Sequence, residues 1–562
     1  MYALLMQKKA SDKYLGLYVL TTSVAVCLLV TPFNSLDPVS LPKLSLLIVL
    51  SFIAAGFAFS NIEFFKTKKN RLTISIVGFF VAQLFLVFLL DNQDFSFKFY
   101  GTFGRNTGFV AYLSLAFLLL ASSVSASREM LKRYAIAILG SGTVLATYGV
   151  AQSQGQDFYQ FENVYATNVF GTFGNPNFQS AFMGIMAAVA LTLFLYSKIK
   201  VFFKASLLSL MLLALYNISL SSEQGYLNFA FGFGFATIIF LFKSKRQILG
   251  WIIVVLTGAA ALLIGLGIFN LGPLSDLIYK SSLQARSFYW QAAARMMLDH
   301  PFFGVGMDSY GDAYFRSRTS QIASVNVTIT ADSAHNIPLD IGASGGFPLL
   351  IAYMSIIVLA SISIFKVIMR QAEFDVVFTT IVAAWLAYQA QSLISINQLG
   401  LGVWGWSLTG LIIGYELNTR TESGEAIRRP APLGTLKSQK ISALAVVSTF
   451  VATSAGIAIA LPPYVAANKF YKALQSGNPT IIQQSGYLKP YDRMRFLYVA
   501  QALQENNFES DAIIVLRDAT AIYPDSIDLW RRWAGIPSAS PSDIARAKAE
   551  MKRLDPYNPD LK

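Results

Sequence analysis

Runs of about 20 mostly apolar residues, the length a helix needs to cross the hydrocarbon core of a bilayer, recur along the chain. They fall near 14–33, 43–60, 73–91, 107–124, 133–152, 177–197, 202–221, 226–243, 248–270, 346–367, 375–396, 400–417 and 440–463. The pattern predicts an all-α, polytopic membrane protein with 12 to 13 transmembrane helices. Two polar stretches are too long to be turns: 271–345, and the tail from 464. In the tail, apolar positions repeat at helical spacing over Ala466 to Gln475, Met494 to Gln504, Asp511 to Ala521, Ile527 to Ala534 and Ser542 to Leu554. The expected organisation is a membrane core over 1–463, with an outer loop at 271–345, followed by a helical domain over 464–562.

Charge gives the core a direction. Alternate connections, beginning with the N-terminus, carry 23 Lys and Arg, whereas the short connections of the other set carry only Lys43, Lys98 and Arg105. By the positive-inside rule the N-terminus is expected in the cytoplasm. Thirteen spans then put the long loop and the C-terminal domain outside the cell membrane. Composition agrees with the membrane class, with 54% hydrophobic and 13% charged residues. The net charge of +13 is scattered between apolar runs rather than gathered in a basic stripe interleaved with aromatics, so nucleic acid is not an expected partner. The single cysteine, Cys27, lies in the first apolar run, which is long and lacks a small-residue cleavage site, and is expected to be a retained helix.

Polar clusters beside apolar spans need partners or a task. Four of them share the outer side: "GTFGRNTG" (Gly101 to Gly108), "GTFGNPNF" (Gly171 to Phe178), "SSEQG" (Ser221 to Gly225) and "QSLISINQ" (Gln391 to Gln398). A transporter concentrates polar groups near the bilayer midplane, often on broken helices. Grouping at one interface favours an enzyme acting on a membrane-anchored substrate.

The long loop carries the chemistry. "SLQARSFYWQAAARMMLDHP" reads as a helix capped by Ser281 or Ser282 and ended before Pro301. Arg286 falls in its first turn, where the helix dipole disfavours a cation unless an anion such as phosphate is bound there; a snorkelling arginine is the plainer reading. "FFGVGMDSYGDAYFRSR" adds Arg316 and Arg318. In "TADSAHNIPLDIGASGG", Asp332 or Ser333 can cap a helix with Pro338 in its first turn, so that His335 sits at the helix start with its pKa lowered. A neutral imidazole there can accept a proton, although a hydrogen-bonded structural histidine has the same signature. The other histidine, His300, precedes a proline at a helix end and reads as structural. Tyr289, Trp290, Trp404 and Trp406 read first as interfacial anchors. Asn177, Gln391 and Asn397 are candidate glycan contacts; Asn175 is another, but is better explained as a helix cap before Pro176.

"RSFYWQAAARMMLDHPFFGVGMDSY" followed by "AHNIPLDIGASGGFPLL", with "GTFGNPNF" upstream, resembles the O-antigen ligase family of bacterial membrane glycosyltransferases over roughly residues 100 to 415. The resemblance implies a GT-C-like helical core in the bacterial inner membrane, with a large outer loop over the active site. It also implies transfer of a glycan from a polyprenyl-diphosphate carrier such as undecaprenyl diphosphate to an acceptor hydroxyl, with neither metal nor nucleotide sugar. His335 matches the family's proposed general base, and Arg286 an arginine thought to engage the donor diphosphate. The chain departs in two places: Leu349 stands at the last Gly of the His-Asn, nine residues, Gly-x-x-Gly motif, and Glu223 and Gln224 stand in "SSEQG" where many members have Ser-Arg-Gly. Arg105 is the expected substitute for that arginine. The tail, with "AIYPDSIDLW" and "LDPYNPD", resembles tetratricopeptide-like helix hairpins, a surface for a protein partner or a growing glycan.

The residues themselves support the same chemistry. Negative charge grows on a leaving phosphate while the acceptor hydroxyl loses a proton; arginine suits the first task and His335 the second. With no carboxylate pair of the glycoside-hydrolase kind on the outer loops, a direct, inverting displacement is expected. Asp308, Asp312 and Asp332 leave a Mg²⁺- or Mn²⁺-dependent route as a competitor. A glycan polymerase, a protein O-oligosaccharyltransferase and, in a different class, a lipid-linked glycan transporter or a scaffold are the competing functions.

Overall fold

The computed structural model describes residues 2–31, 36–59, 66–157, 169–268, 270–273, 281–325, 330–422 and 443–561. Its membrane helices are α1 (Tyr2–Leu28), α2 (Ser40–Phe59), α3 (Arg71–Leu90), then, after a short α4 (Phe95–Tyr100), α5 (Phe109–Ser125), α6 (Arg128–Ser153), α7 (Pro176–Tyr196), α8 (Val201–Ser221), α9 (Gln224–Lys243) and α10 (Gln247–Ile268). The outer loop contributes α11 (Ser281–Asp299), α12 (Tyr310–Ser317) and α13 (Ser320–Val325), and α14 (Ile337–Arg370), α15 (Val376–Ser392), α16 (Leu399–Glu422) and α17 (Ala443–Gln475) follow. Each apolar run read as a span falls chiefly on one of these helices over its described residues. Among the described residues, nine of the helices are long and apolar enough to cross a membrane.

Small residues set the closest crossings. Gly410 and Gly414 on α16 face α5 so closely that a Cβ at either would lie 2.0 or 2.1 Å from the carbonyl oxygens of Leu119 and Ser123. Backbones approach through such small-xxx-small faces where lipid provides no hydrophobic drive. Trp404 and Trp406, read as interfacial anchors, are instead buried in the core; the rings of Phe182 and Phe80 pack on them at 5.9 and 5.4 Å. Lys43, one of the few basic residues of the connections expected on the outer side, is fully buried, and its ammonium donates to the carbonyls of Val26, Cys27 and Leu29. It caps the C-terminus of α1, whose last carbonyls have no helical donor.

The expected boundary at 463/464 falls inside a helix. α17 runs unbroken to Gln475 through Pro462 and Pro463, and leads into α18 (Pro479–Gly486), α19 (Arg493–Glu505), α20 (Glu509–Ile522), α21 (Ile527–Ala534) and α22 (Pro541–Leu554). These helices do not pack on themselves alone. Ala292, Met296, Tyr310 and Tyr314 of the outer loop share one apolar core with Phe496, Leu516, Trp530 and Trp533. Three ion pairs cross the same seam: Arg318 with Asp555, Arg493 with Asp312 and Arg316 with Asp525. The first is fully buried, its guanidinium reaching the Asp555 carboxylate oxygens at 2.9 and 2.7 Å. Removing one partner strands the other charge in the interior, so Asp555→Ala is expected to destabilise the C-terminal helices by about 3–5 kcal/mol. Adding Arg318→Met should recover much of that, measured by thermal unfolding and by proteolysis of the tail.

Candidate active site at the outer loop

α14 contains a break that shapes the site. Gly346 is non-helical, at φ +70°, and divides a short helical segment (337–345) from the long one beyond. The carbonyls left without donors at the end of the short segment are taken by the loop after α11: Val305 N–H donates to Ala343 at 2.9 Å and Gly306 N–H to Ser344 at 3.0 Å. A Cβ at Gly346 would lie 2.5 Å from the Pro301 carbonyl oxygen. "PFFGVG" and "GASGG" are therefore two halves of one junction, which fixes the end of α11 against the short helical segment.

At the other end of that segment, the N-cap is Asn336, whose side chain accepts from Leu339 N–H at 3.0 Å. Neither Asp332 nor Ser333 caps it. His335 stands just outside the helix, in the left-handed region at φ +49°, and the Asn336 amide donates onward to the Leu393 carbonyl at 2.9 Å, tying the turn to "QSLISINQ". The imidazole is half-buried and reachable. Burial pushes it down to about 4, Asp332 opposes this, and the charges of Arg286 and Arg105 lower it further. Burial, rather than a helix terminus, therefore keeps His335 neutral at physiological pH.

α11 supplies the facing wall. It begins at Ser281, so Arg286 lies in its second turn, past the reach of a helix-start anion site; the expected caps Ser281 and Ser282 lie outside the residues whose side chains are described. Tyr289, one turn on from Arg286, places its ring 5.5 Å from the His335 ring, centroid to centroid, and is held by Tyr310, whose hydroxyl donates to the Tyr289 carbonyl at 2.7 Å. Burial lowers the Arg286 guanidinium, with only Tyr289 opposing; among the described residues no carboxylate pairs with it. A half-buried cation without a counter-charge is unfavourable, and the loop leaves this one beside a neutral imidazole.

Arg105 differs from the phosphate contact expected of it. It is buried, donates to the Asp332 carbonyl, and pairs with the Asp340 carboxylate at 3.2 Å. Asp340 in turn accepts from Ala334 N–H at 3.0 Å. Burial alone would lower the guanidinium, but Asp332, Asp308 and Asp340 together raise it above its ordinary value. Arg105 and Asp340 thus clamp the turn on both sides of His335. The connection bearing Arg105 is itself pinned by Asp308, which accepts from the Thr102 amide at 2.7 Å and the Thr107 hydroxyl at 2.7 Å.

The other candidates are placed less favourably. Arg318 is engaged with Asp555, and Arg316 faces Asp525 at 3.5 Å. Asn175 caps α7 through the Asn177 amide, and the Asn177 side chain accepts from the Ser222 hydroxyl at 2.7 Å. Gln391 is buried and accepts from Gln224 and, at 3.1 Å, Asn228; Asn397 is buried beside Tyr112. Glu223 is exposed at the start of α9. Asp308, Asp312 and Asp332 point to separate partners, and among the described residues no three His, Cys, Asp or Glu side chains cluster to hold a metal. Tyr289, read first as an interfacial anchor, instead faces the His335 ring, and its i+3 spacing from Arg286 is the signal that joins it to the site; nothing in the sequence sets Asp340 apart.

In this multi-pass helical membrane protein, the loop between α10 and α14 sets a neutral imidazole near a guanidinium that has no carboxylate partner among the described residues. Residues 207–354 match the family model described as O-antigen ligase. The matched stretch, the O-antigen ligase domain, contains Arg286, Tyr289, His335 and Asp340. No curated protein matches the chain.

Proposed function

We propose that this protein transfers a glycan from a polyprenyl-diphosphate carrier to an acceptor hydroxyl at the outer face of the bacterial inner membrane, with inversion and without a metal. The observation that carries the reading is the pairing of a reachable, neutral His335 with a half-buried Arg286 that lacks a carboxylate partner among the described residues. The acceptor hydroxyl gives its proton to the His335 imidazole as its oxygen attacks the anomeric carbon. The bond from that carbon to the phosphate oxygen breaks, and the diphosphate leaves with the electron pair, its charge met by Arg286. Arg105 and Asp340 are positioning residues that hold the His335 turn. The acceptor is a lipid, a glycan or a protein, so that ligase, polymerase and protein O-oligosaccharyltransferase remain variants of one chemistry.

The test is transfer by the purified protein in lipid, given a polyprenyl-diphosphate glycan and an extract of candidate acceptors in excess chelator. Release of polyprenyl diphosphate together with a new glycoside of inverted configuration is expected. Movement of an unaltered lipid-linked glycan between leaflets would instead identify a transporter, and loss of transfer on chelation would restore the metal route.

A further inference from the structure

The segment that holds Arg105 also walls a second feature. Between this segment, the start of α2 and the C-terminal helices lies a cavity whose lining includes Phe103, Asn106 and Tyr498 together with the charged Asp492, Arg493 and Arg495. Asn106 is 6% exposed, adopts φ +54°, and its side-chain carbonyl oxygen has no hydrogen-bond partner. A buried acceptor left open is unfavourable, and a hydroxyl donated by a ligand would satisfy it. Around it stand aromatic rings; Phe103 and Tyr498 meet edge to face at 6.3 Å.

The two arginines do not make this an anion site. Arg493 pairs with Asp312, and Arg495 donates to the Leu488 carbonyl at 2.6 Å and to the Pro490 carbonyl at 3.3 Å. Aromatic faces, an open amide oxygen and guanidinium donors already engaged within the protein suit a neutral, hydroxyl-rich ring: C–H faces stack on the rings while a hydroxyl donates to the amide. Tyr498 also lines a second groove, which continues along α19 past Gln501 and Gln504 to Arg531 and Arg532 of α21. The positions 498, 501 and 504 are spaced at i+3, so they share one helix face.

We propose that this cavity and groove form one extended saccharide site, in which the C-terminal helices hold neutral sugar units of the glycan chain beside the connection that carries Arg105. The proposal rests on the glycan-transfer reading but is tested separately from it. The full-length protein in nanodiscs is titrated with lipid-free oligosaccharide released by mild acid from the host's polyprenyl-linked glycans, and binding is read by saturation-transfer difference NMR. The parent and His335→Asn should bind alike, while Asn106→Gly, which removes the amide and tolerates the positive φ, and Tyr498→Ala should each weaken binding about tenfold, the loss of one hydrogen bond or stacked ring. Gln501→Ala/Gln504→Ala, at positions nearer the surface, keeps the site testable if a buried variant fails to fold, and should weaken binding about threefold. Equal binding by the parent and all three variants would overturn the proposal. So would failure of the parent to bind sugar, including the case in which the cavity holds co-purified lipid that Tyr498→Ala loses. Sugar binding without any transfer by the parent would uphold the site and reject the transferase reading; transfer without sugar binding would do the reverse.

Discussion

His335→Asn is expected to lower glycan transfer by about 10²–10⁴-fold, the usual contribution of a positioned general base, with KM for the donor little changed. Asparagine is the cleaner replacement because position 335 sits at φ +49°, a region that asparagine tolerates and alanine enters with strain. Loss of activity in His335→Asn therefore reports on the imidazole and not on a distorted turn. A second readout follows from its ionisation. Burial depresses the imidazole to about 4, so the proton-accepting form is present through neutral and mildly acidic solution. In the parent, kcat/KM should fall only as pH drops through about 4, not through the 6.5 of an unperturbed imidazole, and the remaining activity of His335→Asn should lack that limb. Parental rates from His335→Asn on a verified substrate would remove the histidine from the mechanism.

The sequence was legible where a physical demand is local. A bilayer requires continuous apolar length, so each run read as a span falls chiefly on a helix over its described residues. Histidine and arginine are rare enough among apolar spans that His335 and Arg286 stand out by type alone. The cap of α14 was legible in principle: Pro338 falls within the first two helical positions, which favours Asn336 over Asp332 or Ser333. What could not be read were partnerships made by folding. Arg105 meets Asp340 across 235 positions and Arg318 meets Asp555 across 237, so in sequence Arg105 reads as a free phosphate contact and Arg318 as one more candidate arginine of the loop. Trp404 and Trp406 were misplaced for the same reason, because composition places tryptophan at interfaces and only packing shows these two within the core. The tail looked separate because its composition turns polar at 464, while its apolar faces are completed by residues of the outer loop.

Arg286→Met should lower transfer by about 10²–10³-fold, comparable to the loss of a preorganised charge from a transition state, and Arg286→Lys should recover only part of it. A lysine restores the charge but not the planar fork of donors that matches two phosphate oxygens at once. The more discriminating expectation concerns stability. In the parent the guanidinium is half-buried without a carboxylate partner among the described residues, so replacing it by an apolar side chain of similar length removes an unfavourable desolvation term. Without donor, Arg286→Met should therefore melt at or above the temperature of the parent. Polyprenyl diphosphate at 100 times its Kd should stabilise the parent by about 2.7 kcal/mol and the variant far less. An arginine that merely snorkels toward the headgroups would show neither effect, since its charge is already solvated and binding of the diphosphate would stabilise both proteins alike. Opposite signs of the substitution in the empty and donor-bound protein would mark Arg286 as a residue whose burial disfavours the empty site and whose charge the donor diphosphate satisfies.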